Sequence, residues 1–148
     1  MDMNLKELSV NDLEEIKEFF FQVFTKEPWN DDWSDSSQLH AYIMDLTGNP
    51  NSLSLGLFLE EELIGIALGN IKHWYAGTEY CIDELCIKTD QQGKGIGTGF
   101  IKLIEEYLKK KGIGSIFLQT ERAVPAYEFY KKKGFFELED HVSFVKDF

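Results

Sequence analysis

The chain has 148 residues, 43% hydrophobic and 14% aromatic, with 12 Phe. That composition excludes a disordered chain and suits one domain, residues 1–148, with a buried core. A formal charge of -11 excludes a nucleic-acid partner, which requires a positive face.

The charge is uneven. Residues 1–75 hold 14 acids and 4 bases, whereas 76–148 hold 12 and 11, so the N-terminal half suits a cationic partner. No apolar run reaches the ~18 residues of a membrane span, and Met1-Asp2-Met3-Asn4 lacks the start of a secretory signal. A cytoplasmic protein without membrane attachment is expected.

Taken along the chain, a short strand is expected over 4–8. Ser9-Val10-Asn11-Asp12 then starts a helix whose Leu13, Ile16, Phe20, Val23 and Phe24 recur at helical spacing. Pro28-Trp29 ends it. An acidic, aromatic loop, Asn30 to Asp35, leads to a second helix near 37–46, and Gly48-Asn49-Pro50-Asn51 is a turn. A hairpin with strands near 52–59 and 63–72 follows, and His73-Trp74-Tyr75-Ala76-Gly77 turns into a strand over 79–87.

Cys81 and Cys86, five apart on that strand, are expected on opposite faces as buried thiols. His40, His73 and His141 have no ligand spacing, so no metal site is expected. Phe100, Leu103, Ile104, Tyr107 and Leu108 mark the buried stripe of a third helix, stopped by Gly112 or Gly114. A strand over 115–120, a helix from Pro125 to Lys133 closed by Gly134, and strands over 135–138 and 141–148 complete the chain. This order gives an α/β domain with a mixed, mostly antiparallel sheet.

The most specific segment is Gln92-Gly93-Lys94-Gly95-Ile96-Gly97-Thr98-Gly99, between a strand and a helix. Glycines let backbone N–H groups converge on a phosphate, and the helix N-terminus adds positive potential. Lys94 supplies a point charge. The dinucleotide fingerprint fails, because Gly95 and Gly97 are followed three residues on by Phe100, and Gly97 and Gly99 by Lys102. A Walker loop fails because Gly95 follows Lys94.

The remaining pattern, Gln-x-x-Gly-x-Gly over 92–97, resembles the GNAT superfamily of acyl-CoA dependent N-acetyltransferases. Ala126-Tyr127-Glu128-Phe129-Tyr130-Lys131-Lys132-Lys133-Gly134-Phe135 resembles the second half of that signature. The resemblance spans nearly the whole chain, with its specific part over 82–135. One departure is Ala123, where the family often has Asn.

The resemblance implies a twisted sheet with a splayed parallel strand pair, flanked by helices, and acetyl-CoA as acyl donor. It implies that backbone near Leu85, Cys86 and Ile87 holds the pantetheine arm and polarises the thioester. Gly93 to Thr98 would hold the pyrophosphate, with Gln92 also at the cofactor, and Tyr130 would protonate the departing thiolate. Family members are often dimers, so a homodimer is an expectation.

An alkyl amine is mostly protonated at neutral pH and needs a carboxylate to receive its proton. Asp83 and Glu84 are the candidates, expected on opposite sides of their strand. Asp83 is preferred, because Ile82-Asp83-Glu84-Leu85 together with the glycine loop resembles the same region of some aminoglycoside 6'-N-acetyltransferases. Trp29, Trp33, Trp74 and Tyr75 offer flat walls for an acceptor, and Asp31, Asp32 and Asp35 supply negative charge. The expected reaction is acetyl transfer by direct attack of a small cationic amine such as an aminoglycoside or polyamine. The alternatives are acetylation of a protein N-terminus or lysine, and a non-catalytic acyl-CoA sensor.

Overall fold

The computed structural model describes residues 2–148. Five strands form one sheet in chain order: β1 (Met3–Leu8), β2 (Ser52–Leu59), β3 (Glu62–Trp74), β4 (Gly77–Ile87) and β5 (Ser115–Leu118). Neighbours are antiparallel except β4 and β5, which are parallel. Four helices flank the sheet: α1 (Leu13–Phe24), α2 (Ser36–Thr47), α3 (Ile96–Lys110) and α4 (Pro125–Lys132).

The helix starts are chemically specified. Ser9 and Asp12 form a capping box ahead of α1, with Asp12 Oδ2 accepting from the Ser9 N–H at 2.8 Å. Asp35 caps α2 by accepting from the amides of Ser37 and Gln38 at 3.0 and 3.1 Å. Pro125 opens α4.

Two cores result. On one face, Ile16, Phe20 and Val23 of α1 and Leu39 and Ile43 of α2 pack against Ile66, Leu68 and Cys86. On the other, Phe100, Ile104 and Leu108 of α3 pack against Leu55, Ile64, Tyr80 and Ile82. Covered on both sides, β3 is buried from Leu63 to Gly69.

Tyr80 is fully buried, and its hydroxyl donates to the Leu53 carbonyl at 2.7 Å. Burial pushes its pKa far up, so it remains a donor. Tyr80→Phe is expected to cost about 1–2 kcal/mol of folding stability by urea titration, because the Leu53 carbonyl loses a buried partner.

The strands expected over 135–138 and 141–148 are absent from the sheet. Phe144 and Val145 are adjacent, so the segment has no single apolar face, and β5 offers only four residues to pair with. Side-chain bonds tether it instead. Arg122 and Tyr127 donate to Glu137, and Gln119 donates to Ser143.

Candidate active site

Parallel pairing of β4 with β5 runs from Glu79↔Ser115 to Ile82↔Leu118 and stops, although β4 continues to Ile87. The stop coincides with an irregularity on the other side of β4. Against β3 the register runs from Gly65↔Ile87 to Leu68↔Glu84 and resumes at Gly69↔Ile82, so Asp83 is an extra residue. Such a β-bulge bends its strand and opens the ladder. From Asp83 to Ile87 the outer edge of β4 pairs with no strand among the described residues. Leu85, Cys86 and Ile87 lie along this open edge.

Gly69 makes the bulge possible. A Cβ there would stand 2.2 Å from the Cys81 carbonyl oxygen.

The extra residue cancels the alternation expected of the two acids. Glu84 sits two residues before Cys86 on the α1–α2 face, where Tyr42 of α2 donates to its Oε2 at 2.5 Å. Asp83 follows Ile82, which faces the α3 core, and its Oδ2 lies 3.5 Å from Nδ2 of Asn70, two residues along β3 from Leu68 of the α1–α2 core. Both carboxylates therefore occupy the α1–α2 face, contrary to the expectation of opposite sides, because a period of two fails where one residue is inserted. For the same reason Cys81 falls on the face of Cys86. Both are buried free thiols.

The two acids have different surroundings. Burial raises the pKa of Glu84, the Tyr42 hydrogen bond pulls it back down, and the charges of Asp83 and Asp31 raise it. Burial also raises Asp83, but Lys72 and a long 3.5 Å contact from Asn70 Nδ2 oppose this. Tyr130, on α4, is pushed up to about 12 by burial and then by Cys86 and Glu84. Its hydroxyl therefore stays protonated at neutral pH.

The glycine loop follows directly. Gln92 Nε2 donates to the Ile87 carbonyl at 2.9 Å, tying the loop to the end of β4. Gly93 and Gly95 adopt φ of +78° and +76°, and a Cβ on either would meet open space. Gly95 is the N-cap of α3, and no side chain among the described residues caps it. The first amides of α3, at Ile96, Gly97 and Thr98, have no acceptor one turn back. Gly97 and Gly99 serve packing, since a Cβ would meet Phe129 of α4 at 3.1 Å and the flexible end of Met3 at 2.6 Å. Ile96 is buried in the α3 core, so it offers the loop its backbone only.

The residues matched by the model of the Acetyltransferase (GNAT) family run from 11 to 135. The chain belongs to this family. A comparison with curated proteins finds no match. The fold is shared with an aminoglycoside acetyltransferase, meta-AAC0020, from an uncultured soil metagenomic sample, solved with sisomicin (TM-score 0.73, 23% identity, 99% of this chain and 96% of that one). It is shared equally with a ribosomal-protein-alanine N-acetyltransferase from Brucella melitensis biovar Abortus 2308 (TM-score 0.74, 16% identity, 99% and 100%). A third neighbour, aminoglycoside N-acetyltransferase AAC(6')-Iy, was solved with CoA (TM-score 0.71, 16% identity, 98% and 95%).

In this GNAT protein the residues expected to bind an acceptor divide into two groups. Trp33 stacks on Tyr42 with centroids 5.4 Å apart and so lies beside Glu84. Trp29 packs edge-on against Phe24 in the same α1–α2 loop, and Asp31 is near enough to raise Glu84. The Ser34 side chain, and then the Ser34 amide at 3.0 Å, hold the pKa of Asp32 low. Trp74 and Tyr75 lie elsewhere. They stack on each other, 60% and 89% exposed, at the tip of the β3–β4 hairpin. Trp74 is five residues beyond Gly69 on β3, about 17 Å from the bulge at the usual strand rise. The register of the hairpin, which carries its tip toward the start of β5, separates them from Asp83 and Glu84.

Tyr42 and Asn70 contact the acids, and Lys72 acts on Asp83 through its charge, without having been singled out in the sequence. A tyrosine in the apolar stripe of α2 reads as core, and only the tertiary fold brings it to β4. A cavity of about 1040 Å³ lies between β5, α4 and the C-terminal segment. It includes Tyr130 but neither acid nor the glycine loop. Among the described residues no cluster of His, Cys, Asp or Glu could hold a metal ion, and no helix is long and apolar enough to cross a membrane.

Proposed function

We propose that this GNAT protein transfers an acetyl group from acetyl-CoA to a primary amine of a small cationic acceptor by direct attack. The observation that carries the reading is the β4 bulge. It puts two carboxylates of unlike environment on one face, beside a backbone edge with free hydrogen-bonding groups.

The residues present fit CoA. Gly93 and Gly95 point open space at an uncapped helix N-terminus, suited to a diphosphate, with Lys94 and Thr98 alongside. Gln92 joins that cradle to the open edge at Leu85, Cys86 and Ile87, which can pair with an amide-bearing arm. When bound, acetyl-CoA supplies the activated acyl group as a thioester. A backbone N–H of the open edge polarises the thioester carbonyl.

Glu84 receives the proton of the acceptor ammonium. Its support over Asp83 is its greater burial and its influence on Tyr130. Asp83, exposed and beside Asn70, holds the cationic acceptor electrostatically. Tyr130 would give its proton to the departing thiolate, leaving the free thiol, and would regain one from the attacking nitrogen as that nitrogen becomes the neutral amide. Neither cysteine acts as a nucleophile, and burial keeps the Cys86 thiol protonated. Trp33 and Trp29, with Asp31 and Asp32 on the same loop, form an aromatic, acidic wall for a polyamine or aminoglycoside.

The test is release of free thiol from acetyl-CoA against aminoglycosides, polyamines and basic peptides. Acceptor-dependent release is expected with the polycations. Tyr130→Phe should lower kcat by about 10²-fold with acetyl-CoA binding retained. Binding of acetyl-CoA without release across the panel, indifferent to Tyr130→Phe, would favour a sensor.

A further inference from the structure

Tyr42 is fixed more firmly than an accidental partner of an acid would be. Its ring stacks on Trp33 at 5.4 Å and 17°, and both rings meet Phe20 edge-on, at 5.9 and 5.4 Å. Phe20 is 2% exposed, so this aromatic triad is anchored in the α1–α2 core. From that anchor the phenol O–H reaches Glu84 Oε2 at 2.5 Å. Glu84 Oε1 receives no side-chain hydrogen bond among the described residues.

We infer that Tyr42 is a positioning residue: it binds one oxygen of Glu84, fixing the carboxylate, and leaves the other oxygen to the acceptor ammonium. This rests on the reading of Glu84 as proton acceptor. The groups facing Glu84 are Tyr42 from α2, Asp31 from the α1–α2 loop, Asp83 and Cys86 on β4, and Tyr130 from α4. Asp31 and Asp83 oppose its ionised form, as burial does. Among the described residues, Tyr42 is the one partner that favours that form. Burial and the Glu84 charge keep Tyr42 itself protonated, so it donates across the working pH range.

The experiment is the pH profile of kcat/KM for the best acceptor in the thiol-release assay. It compares wild type, Glu84→Gln and Tyr42→Phe in the full chain. A hydrogen bond to the carboxylate lowers the Glu84 pKa, so its loss raises it. The acid limb of Tyr42→Phe should therefore move up by about one pH unit. At pH below the limb this is a roughly tenfold loss, with KM for acetyl-CoA unchanged. Placing 3-fluorotyrosine at position 42 keeps the ring and strengthens the donor, and should move the limb down. This second variant decides the matter if Tyr42→Phe folds poorly. Limbs unmoved in both, with the limb abolished in Glu84→Gln, would overturn the role of Tyr42 alone. A limb that survives Glu84→Gln would overturn the proton-acceptor reading instead.

Discussion

Glu84→Gln is expected to lower kcat/KM for acetyl transfer by about 10²–10⁴-fold, the range lost with a general base. The amide keeps the size of the side chain and still accepts from Tyr42, so the fold and acetyl-CoA affinity should persist. What is lost is the capacity to take a proton. The pH dependence separates this from a structural effect. Burial raises the Glu84 pKa above its usual value, so wild-type activity falls as pH drops through that raised value. In Glu84→Gln the residual activity should lack this acid limb. Asp83→Asn should behave differently. Its carboxylate is exposed and offset by Lys72, so its removal should raise KM for a polycationic acceptor more than it lowers kcat. Steady-state kinetics of both variants across pH checks the assignment. A larger kcat loss in Asp83→Asn would return the proton-accepting role to Asp83.

Elements with local signatures were legible in the sequence. The helix start at Ser9, Pro125, and the apolar stripe from Phe100 to Leu108 locate helices because each acts within a turn or two, whereas Asp35, read as a loop acid, is the cap of α2. The glycine loop was legible for the same reason, and the family model covers it. The division of labour among its glycines was not. Gly97 is required by Phe129, 32 positions away in sequence and in contact across the α3–α4 packing. The bulge was hidden as well, since Ile82-Asp83-Glu84-Leu85 reads as an ordinary strand. Its trace is an isolated glycine, Gly69, in the partner strand. The C-terminal residues erred in the other direction. Their β-forming composition promised strands, but strand formation needs an edge in register, and β5 is short.

Gly69→Ala tests the link between that glycine and the chemistry. The added methyl carbon would stand 2.2 Å from the Cys81 carbonyl oxygen and 3.0 Å from Ile82 Cα, both backbone, so no side chain can swing aside. Either β3 and β4 separate or the bulge relocates. Separation would disturb both cores, because Leu68 and Ile82 flank the contact on opposite faces. The expected cost is roughly 3 kcal/mol, a fall in Tm of ~6–12 °C for a chain of this size. Any folded fraction should be catalytically impaired beyond its population. Shifting the bulge by one residue would turn Asp83 or Glu84 from the α1–α2 face to the α3 face and change which N–H groups the open edge of β4 presents. Thermal melting with thiol release normalised to the folded fraction distinguishes the two effects. A variant that melts lower but retains wild-type turnover per folded molecule would show that Gly69 supports the fold without setting the geometry of the acids.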